Sequence, residues 1–598
     1  MILYYLLRSI GLIVLGLLIY AQTFRFDFVF DDYIFIVNNP FVKNLSNFHL
    51  MWHSFPLTRL VGMYSFALNY YLGQLHPQGY HVFNFMVHMV AVGLVWALAD
   101  LLFKITKAAG DKATKELPLI IAALFLVHPC QTQAVTYITQ RFESMATVFY
   151  LATIYTYLQA RVTQEKLAKI IFFILAGLFT LLGIMTKEVV ITVPVMILAV
   201  EWILFPKKDN KKFYIALGFA GVFLYILISK LLHAGIESVL QAMPSESHDG
   251  DILTPVTYVL TEFRVFLTFL RLLVLPIHQN LEYDYPASIN LLNPPLTLLG
   301  LAMIIGFVLL IIKLRRRYPL FAFGLAWVLI TFSINLAPRS NVIFEHKLYL
   351  ISFGFLLSTV CFFTTIFQDR RTLFKILGCI VLILGVVSYQ RNKVWANEVS
   401  LWEDSIKYSP NKARVNASLG RVYGSQGQYD KSIFYLSRAI SLKSDNISYE
   451  NRGVIYAEEG QLTQAIDDLN KSISMDPYYF VTYVKRSWVY QIQHNYQAAL
   501  DDINHAIALD PNFADAHIEK GMLEMAIGNP QEALVSFQNA LKIEPFDYEV
   551  ILNRGVVYYS LKQYDLALTD FNKALALEPS STQAAQYKAY CLLKRGRN

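Results

Sequence analysis

The sequence predicts an all-α protein in two parts: a polytopic helical membrane domain of about eleven spans, followed by a tetratricopeptide α-solenoid. Two observations predict it. The 598 residues are 55% hydrophobic and only 16% charged, with a mean hydropathy of +0.41, too apolar for a water-soluble globule. The apolarity is also uneven, because Leu, Ile, Val and Phe runs fill residues 1 to about 390, whereas the chain beyond Trp395 is polar and patterned with a helical repeat. The domains drawn from this are 1–390 in the membrane, 391–411 as linker and half-repeat, 412–579 as five repeats, and 580–598 as a closing helix.

A bilayer core takes about 20 apolar residues per helix. Spans are expected at 2–22, 79–103, 117–138, 143–161, 168–186, 188–205, 213–232, 295–312, 318–336, 348–367 and 373–389. The basic loops 104–115, 207–212, 313–317 and 368–371 then share one side, which the positive-inside rule makes cytoplasmic. That parity requires residues 256–275, which carry Glu262, Arg264 and Arg271, to lie at the far surface as an amphipathic helix. The net charge of +7 sits largely in such loops, so it does not point to nucleic acid. The four cysteines show no metal-ligand or disulfide spacing. The first run lacks a small-residue cleavage site and is expected to remain as an uncleaved anchor.

On the face opposite the basic loops, the first span runs into F-D-F-V-F-D-D-Y-I-F-I-V-N-N-P (26–40), with Asp31 and Asp32 side by side. A carboxylate beside another carboxylate and near hydrocarbon gains proton affinity, which suits a general base; a hydrated pair could equally hold a divalent cation. The alternative is a solvated turn at a helix end. The same face collects Arg59, His76, His128, Arg141, Glu143, the loop 278–286 and the loop 338–349. Ionisable groups at span ends are expensive unless paired or used, although any one of them could be an interfacial anchor.

In the C-terminal part, Pro477, Pro511, Pro545 and Pro579 recur every 34 residues, the tetratricopeptide period. Gly420, Gly453, Gly521 and Gly555 mark close helix approaches, with Ser487 replacing the third. Tyr423, Tyr456, Tyr490 and Tyr558 follow three residues later, and Ala465, Ala499, Ala533 and Ala567 fill the second helix, with Ser432 replacing the first. Stacked helix pairs of this kind form a groove for an extended peptide or a partner helix.

Together these features resemble the polytopic C-type glycosyltransferases, and within them the transmembrane-and-TPR proteins similar to O-mannosyltransferases. The likeness is carried by F-V-F-D-D, T-R-L-V-G-M-Y-S-F-A-L-N-Y (58–70), L-H-P-Q-G-Y-H-V-F-N (75–84), F-L-V-H-P-C-Q-T-Q-A-V (125–135), Q-R-F-E-S-M-A (140–146), M-T-K-E (185–188), P-I-H-Q-N-L-E-Y-D-Y-P (276–286) and V-I-F-E-H-K-L-Y-L (342–350). The resemblance implies inverting transfer of a hexose, with mannose the candidate, from a polyprenyl-phosphate carrier to Ser or Thr of proteins recruited by the repeats. It implies a first-loop acid as base, Asp31 or Asp32, with Asp32 slightly preferred. Arg59, Arg141, His346 and Lys347 are the implied donor-phosphate ligands, Glu143 orients Arg141, and Tyr283 and Asp284 shape the pocket. His128 and Lys187 match family positions without an assigned role. Arg59 stands in T-R-L where relatives read R-P, and Lys347 where an Arg is usual, which weakens bidentate phosphate contact at the latter. No resident cofactor or metal is implied beyond the divalent cation considered above. The partners are the lipid-linked sugar, a protein acceptor and the bilayer. Short loops and a short repeat array place the chain in a bacterial inner membrane, with the acidic loop and the repeats on the periplasmic side. Two alternatives stand beside this reading: a non-enzymatic membrane-anchored scaffold, and a transferase acting on a glycolipid or cell-wall polymer.

Overall fold

The computed structural model describes residues 2–43, 45, 52, 55–106, 113–206, 254–338, 341–545 and 547–595. Among them there are helices and turns and no strands, and the chain divides into two compact units, Met1–Pro410 and Asn411–Asn598.

In the first unit the α-helices are α1 (Ile2–Tyr20), α2 (Leu60–Gly73), α3 (Pro77–Ile105), α4 (Leu117–Val127), α5 (Thr132–Thr136), α6 (Arg141–Val162), α7 (Lys166–Ile184), α8 (Val193–Leu204), α9 (Pro255–Val274), α10 (Leu296–Leu314), α11 (Pro319–Phe332), α12 (Leu348–Ile366), α13 (Arg370–Asn392) and α14 (Glu398–Tyr408). Seven helices among the described residues are long and apolar enough to cross a bilayer, and an eighth span results if the pair broken by 57° between Val127 and Pro129 counts as one. Pro129 explains the break, since it cannot donate to the preceding turn.

Of the eleven expected spans, the described helices supply seven or eight by length and composition. The span expected at 213–232 lies outside the described residues. The one expected at 143–161 is α6, a 22-residue helix, but its Thr and Tyr side chains are buried among neighbouring helices. A helix enclosed by protein meets little lipid and need not be uniformly apolar. The one expected at 188–205 is a 3-10 turn followed by the 12-residue α8, roughly 18 Å of helix, well short of a hydrocarbon core about 30 Å thick. The expected amphipathic helix is α9, and two of its three charges do not face solvent, Arg271 alone being partly exposed. Glu262 and Arg264 are buried; Arg264 donates to the Pro286 carbonyl at 2.6 Å and lies 4.4 Å from the Tyr285 ring centroid.

The core runs through α3, α4, α6, α11 and α12 and includes the buried Trp327, Tyr150 and Tyr349. Where α13 meets α1, Asn392 donates to the Ile19 carbonyl at 3.1 Å and Gln22 to the Tyr389 carbonyl at 2.7 Å. These bonds fix the point from which the acidic loop departs. Residues 391–411 hold the turn Lys393–Trp395 and α14, and both belong to the first unit.

The second unit is five helical pairs, α15 (Ala413–Ser425) with α16 (Tyr429–Leu442), α17 (Asn446–Glu458) with α18 (Leu462–Met475), α19 (Phe480–Ile492) with α20 (Tyr496–Leu509), α21 (Ala514–Ala526) with α22 (Pro530–Ile543), and α23 (Tyr548–Ser560) with α24 (Tyr564–Leu577), closed by α25 (Thr582–Arg595). A Cβ added to Gly555 would stand 2.7 Å from the Phe571 ring, so that close approach excludes side chains. The hairpin turns need a left-handed residue: Gly427, Gly460 and Gly528 supply it, while His494 and Lys562 adopt it at φ of 57° and 60°. Arg452, Arg486 and Arg554 each clamp an aspartate of the paired helix, Asp468, Asp502 and Asp570, through both carboxylate oxygens.

Candidate active site

The stretch Tyr137–Glu143 gathers most of the expected residues. It enters as a 3-10 turn, Ile138–Gln140, and opens α6, and successive side chains and amides reach different partners.

The acidic pair separates sharply. Asp32 is fully buried; its Oδ1 accepts the Thr139 N–H at 2.8 Å and its Oδ2 the Val29 N–H at 3.0 Å. Asp31 is partly exposed, and its backbone N–H donates to the Tyr137 hydroxyl at 3.1 Å. Burial pushes the Asp32 carboxyl up to about 7, against the downward pull of the two amides. The division is enforced one residue earlier. Phe30 takes a left-handed φ of 51°, unfavourable for a bulky side chain, and its ring is held edge-on to Trp402 at 5.3 Å. Its N–H donates to Glu398 at 3.3 Å, and the Asp27 N–H to the Ala396 carbonyl at 3.1 Å. The start of α14 thus braces the acidic loop.

The cations fall into different environments. Arg141 is fully buried, and Nε, Nη1 and Nη2 all donate to protein atoms: Asn84 Oδ1 at 2.6 Å, Ser65 O and Oγ at 3.2 Å, and Tyr80 O at 3.1 Å. The rings of Phe66 and Phe83 flank it at 4.6 and 4.4 Å. Glu143 does not orient Arg141; it pairs with Lys187 at 2.9 Å, with both groups buried. Lys187 also reaches Gln140 at 3.5 Å. Burial lowers the proton affinity of Lys187 and the Glu143 charge works against that fall. Arg59 pairs with Glu188 at 3.1 Å and lies 5.2 Å from the Phe142 centroid, keeping 28% of its side chain exposed.

Lys187, Glu143, Glu188 and Lys347 line one small cavity together with Asn335, whose amide O and N have no hydrogen-bond partner among the described residues although the residue is buried. Neither Glu188 nor Asn335 is among the residues singled out by sequence. Asn335 carries a faint signal as an amide within the apolar run T-F-S-I-N-L (331–336).

Tyr283 belongs to a neighbouring group centred on Glu345, the residue that precedes His346. The Tyr283 hydroxyl donates to Glu345, as do the Asn280 N–H at 2.6 Å and the Gln279 amide at 2.7 Å. Burial and the Glu345 charge hold the Tyr283 phenol well above its usual range. His346 stacks on Phe344 at 5.2 Å, and its N–H donates to Gln133 at 2.6 Å. Asp284 is exposed, with its N–H tied to Ser409 at 3.0 Å. His128 is a brace: one ring nitrogen meets the Leu273 carbonyl at 3.1 Å and the other accepts the Cys130 N–H at 3.3 Å. Among the described residues, no group of three or more His, Cys, Asp or Glu is arranged to hold a metal ion.

Fold and site define a class: a multi-pass helical membrane protein that carries an acidic first loop beside buried cations and ends in a tetratricopeptide array. Tetratricopeptide repeat family models match residues 413–446, 448–479, 485–549 and 548–581. Over 438 residues, 70% of this chain and 60% of the relative, the sequence is 27% identical to a protein O-mannosyl-transferase of Caenorhabditis elegans. It is 24% identical to human protein O-mannosyl-transferase TMTC3 over 71% of this chain and 48% of that protein, and 31% identical to Drosophila melanogaster protein O-mannosyl-transferase Tmtc1 over 30% of this chain and 21% of that protein. The chain spans about half to three-fifths of the length of these first two relatives. A solved thermophilic TPR protein of Thermus thermophilus aligns with 30% of this chain and 99% of its own at 21% identity and a TM-score of 0.27.

Proposed function

We propose that this chain is a membrane glycosyltransferase that moves a sugar, mannose by kinship, from a polyprenyl-phosphate donor to Ser or Thr hydroxyls of proteins held by the repeats. The observation that carries the reading is the stretch Tyr137–Glu143, which meets the unequal acidic pair through Tyr137 and Thr139 and the buried Lys187 through Gln140 and Glu143. In this reading Asp31, the half-buried member, takes the proton of the acceptor hydroxyl. The oxygen attacks the anomeric carbon from the side opposite the phosphate, the sugar–phosphate bond breaks, and the configuration inverts. The sequence-level preference for Asp32 is reversed, because both Asp32 oxygens are occupied by backbone amides; Asp32 positions Asp31.

The departing phosphate gathers negative charge, which cations placed in advance stabilise. Arg59, Lys187 and Lys347 fill that role in this reading. Arg141 acts from behind, holding α6 to α2 and α3, and Glu143 keeps Lys187 charged. Tyr283, through Glu345, and the adjacent His346 shape the acceptor side, while the exposed Asp284 contacts the acceptor chain. The acidic loop and the repeats share the compartment opposite the basic loops, the periplasm of a bacterial inner membrane. Relatives named protein O-mannosyl-transferase support the reaction class, and the repeats support a protein acceptor.

The test is glycan analysis of membrane and secreted proteins from cells expressing wild-type or Asp31→Asn chain at equal levels. Loss of protein-linked hexose only in the variant is expected. Unchanged glycans would remove the enzymatic reading, and loss confined to glycolipids would move the acceptor class.

A further inference from the structure

The end of the membrane unit away from the acidic loop holds a second, unassigned cavity. About 560 Å³ in volume, it opens among the basic-loop ends of α3, α4 and α10 through α13, within the size range of small-ligand sites. Its walls are apolar, with Phe103, Leu117, Leu314 and Phe362 prominent, and Arg317 and Arg370 stand among its lining residues. Neither arginine pairs with a carboxylate among the described residues. Arg370 is fixed by Nη1, which donates to the Thr364 and Phe367 carbonyls at 3.0 and 3.3 Å, while its Nε and Nη2 form no bond among the described residues. Arg317 lies 5.3 Å from the Tyr318 ring centroid.

We infer that this cavity is a binding site for an acidic glycerophospholipid, its acyl chain along the apolar wall and its headgroup phosphate between Arg317 and Arg370. Cavity and lipid are complementary in shape and charge. A hydrocarbon-lined space between helix ends takes an acyl chain, and guanidinium groups without carboxylate partners form planar, charge-assisted bonds to phosphate oxygens. The neighbouring Lys313, Arg315, Arg316 and Arg371 add positive potential that favours a lipid of net negative charge. The site is independent of the acidic loop and of the proposed reaction.

Native mass spectrometry of the detergent-purified full chain, titrated with dioleoyl phosphatidylglycerol, dioleoyl phosphatidylcholine or polyprenyl phosphate, tests it. Wild type should retain one phosphatidylglycerol about tenfold more strongly than the R317Q/R370Q chain, with phosphatidylcholine retention equal in the two. R317K/R370K should restore part of the difference. If the glutamine pair fails to fold, Phe362→Trp, which fills the wall and keeps both charges, should lose the same lipid. Equal phosphatidylglycerol retention in wild type and a folded variant would overturn the assignment. So would equal loss of phosphatidylcholine, or preferential retention of polyprenyl phosphate.

Discussion

The Asp32 carboxylate receives the Thr139 amide at 2.8 Å, and this bond ties the first outer loop to the turn that opens α6. The neighbouring Asp31 stays half-buried, with its N–H on the Tyr137 hydroxyl, so two adjacent aspartates that look equivalent in sequence stand in different environments. Replacing each by Asn should separate their roles. Asp31→Asn should leave the detergent-solubilised melting temperature within a degree or two and reduce sugar transfer by about 10²- to 10⁴-fold, the range for losing a general base. Asp32→Asn should destabilise by about 1–3 kcal/mol, because one amide N–H then faces an NH2 group instead of an acceptor. Equal melting curves for the two variants would contradict the division.

The raised Asp32 group predicts a pH trend in stability. Its carboxyl rises from 3.8 in the unfolded chain to about 7 in the folded one, so between those values the folded state binds more protons than the unfolded state. This group's contribution therefore falls as pH rises from about 4 to about 7 and is constant outside that window. The difference in apparent melting temperature between wild type and Asp32→Asn, measured across pH 4–8, should show the trend. A pH-independent difference would remove the assignment.

The Glu143–Lys187 pair is buried on both sides, so removing one partner leaves an uncompensated charge. Lys187→Met or Glu143→Gln alone should cost about 3–5 kcal/mol, whereas Lys187→Met with Glu143→Met should cost markedly less than the sum. A double-mutant cycle on apparent unfolding reads this directly, and additivity within half a kcal/mol would show that the two do not interact.

In the repeats, His494 and Lys562 hold the left-handed turn position that Gly427, Gly460 and Gly528 occupy elsewhere. A non-glycine residue there carries about 1 kcal/mol of strain. Lys562→Gly should therefore raise the denaturation midpoint of the second unit by an amount equivalent to about 1 kcal/mol. An unchanged or lowered midpoint would show that unfolded-state entropy outweighs the relief.

The repeats were legible because each 34-residue unit solves the same packing problem in nearly the same way. Glycine and alanine at fixed offsets mark contacts that lie close in sequence, and the Arg452, Arg486 and Arg554 clamps share that spacing. The membrane unit was only partly legible. Long lipid-facing helices such as α10 announce themselves by hydropathy, and α6 and α8 were expected as spans too, but apolar run length does not show that α6 is surrounded by protein or that α8 is only 12 residues long. The acidic loop was visible as F-D-F-V-F-D-D, yet the pairing of Glu143 with Lys187 instead of Arg141 was not, because those partners are 44 positions apart and meet only when α6 packs beside the turn after α7.

Composition and periodicity alone determined that this protein is helical, membrane-embedded in its first part and solenoidal in its second, because burial in lipid and stacking of repeats both act on local pattern. Tertiary structure decided which charges are exposed and which are consumed. A side chain's partner depends on the path of distant helices, and no window of sequence around them contains the Thr139 amide that reaches Asp32 or the Ser65 and Tyr80 carbonyls that enclose Arg141.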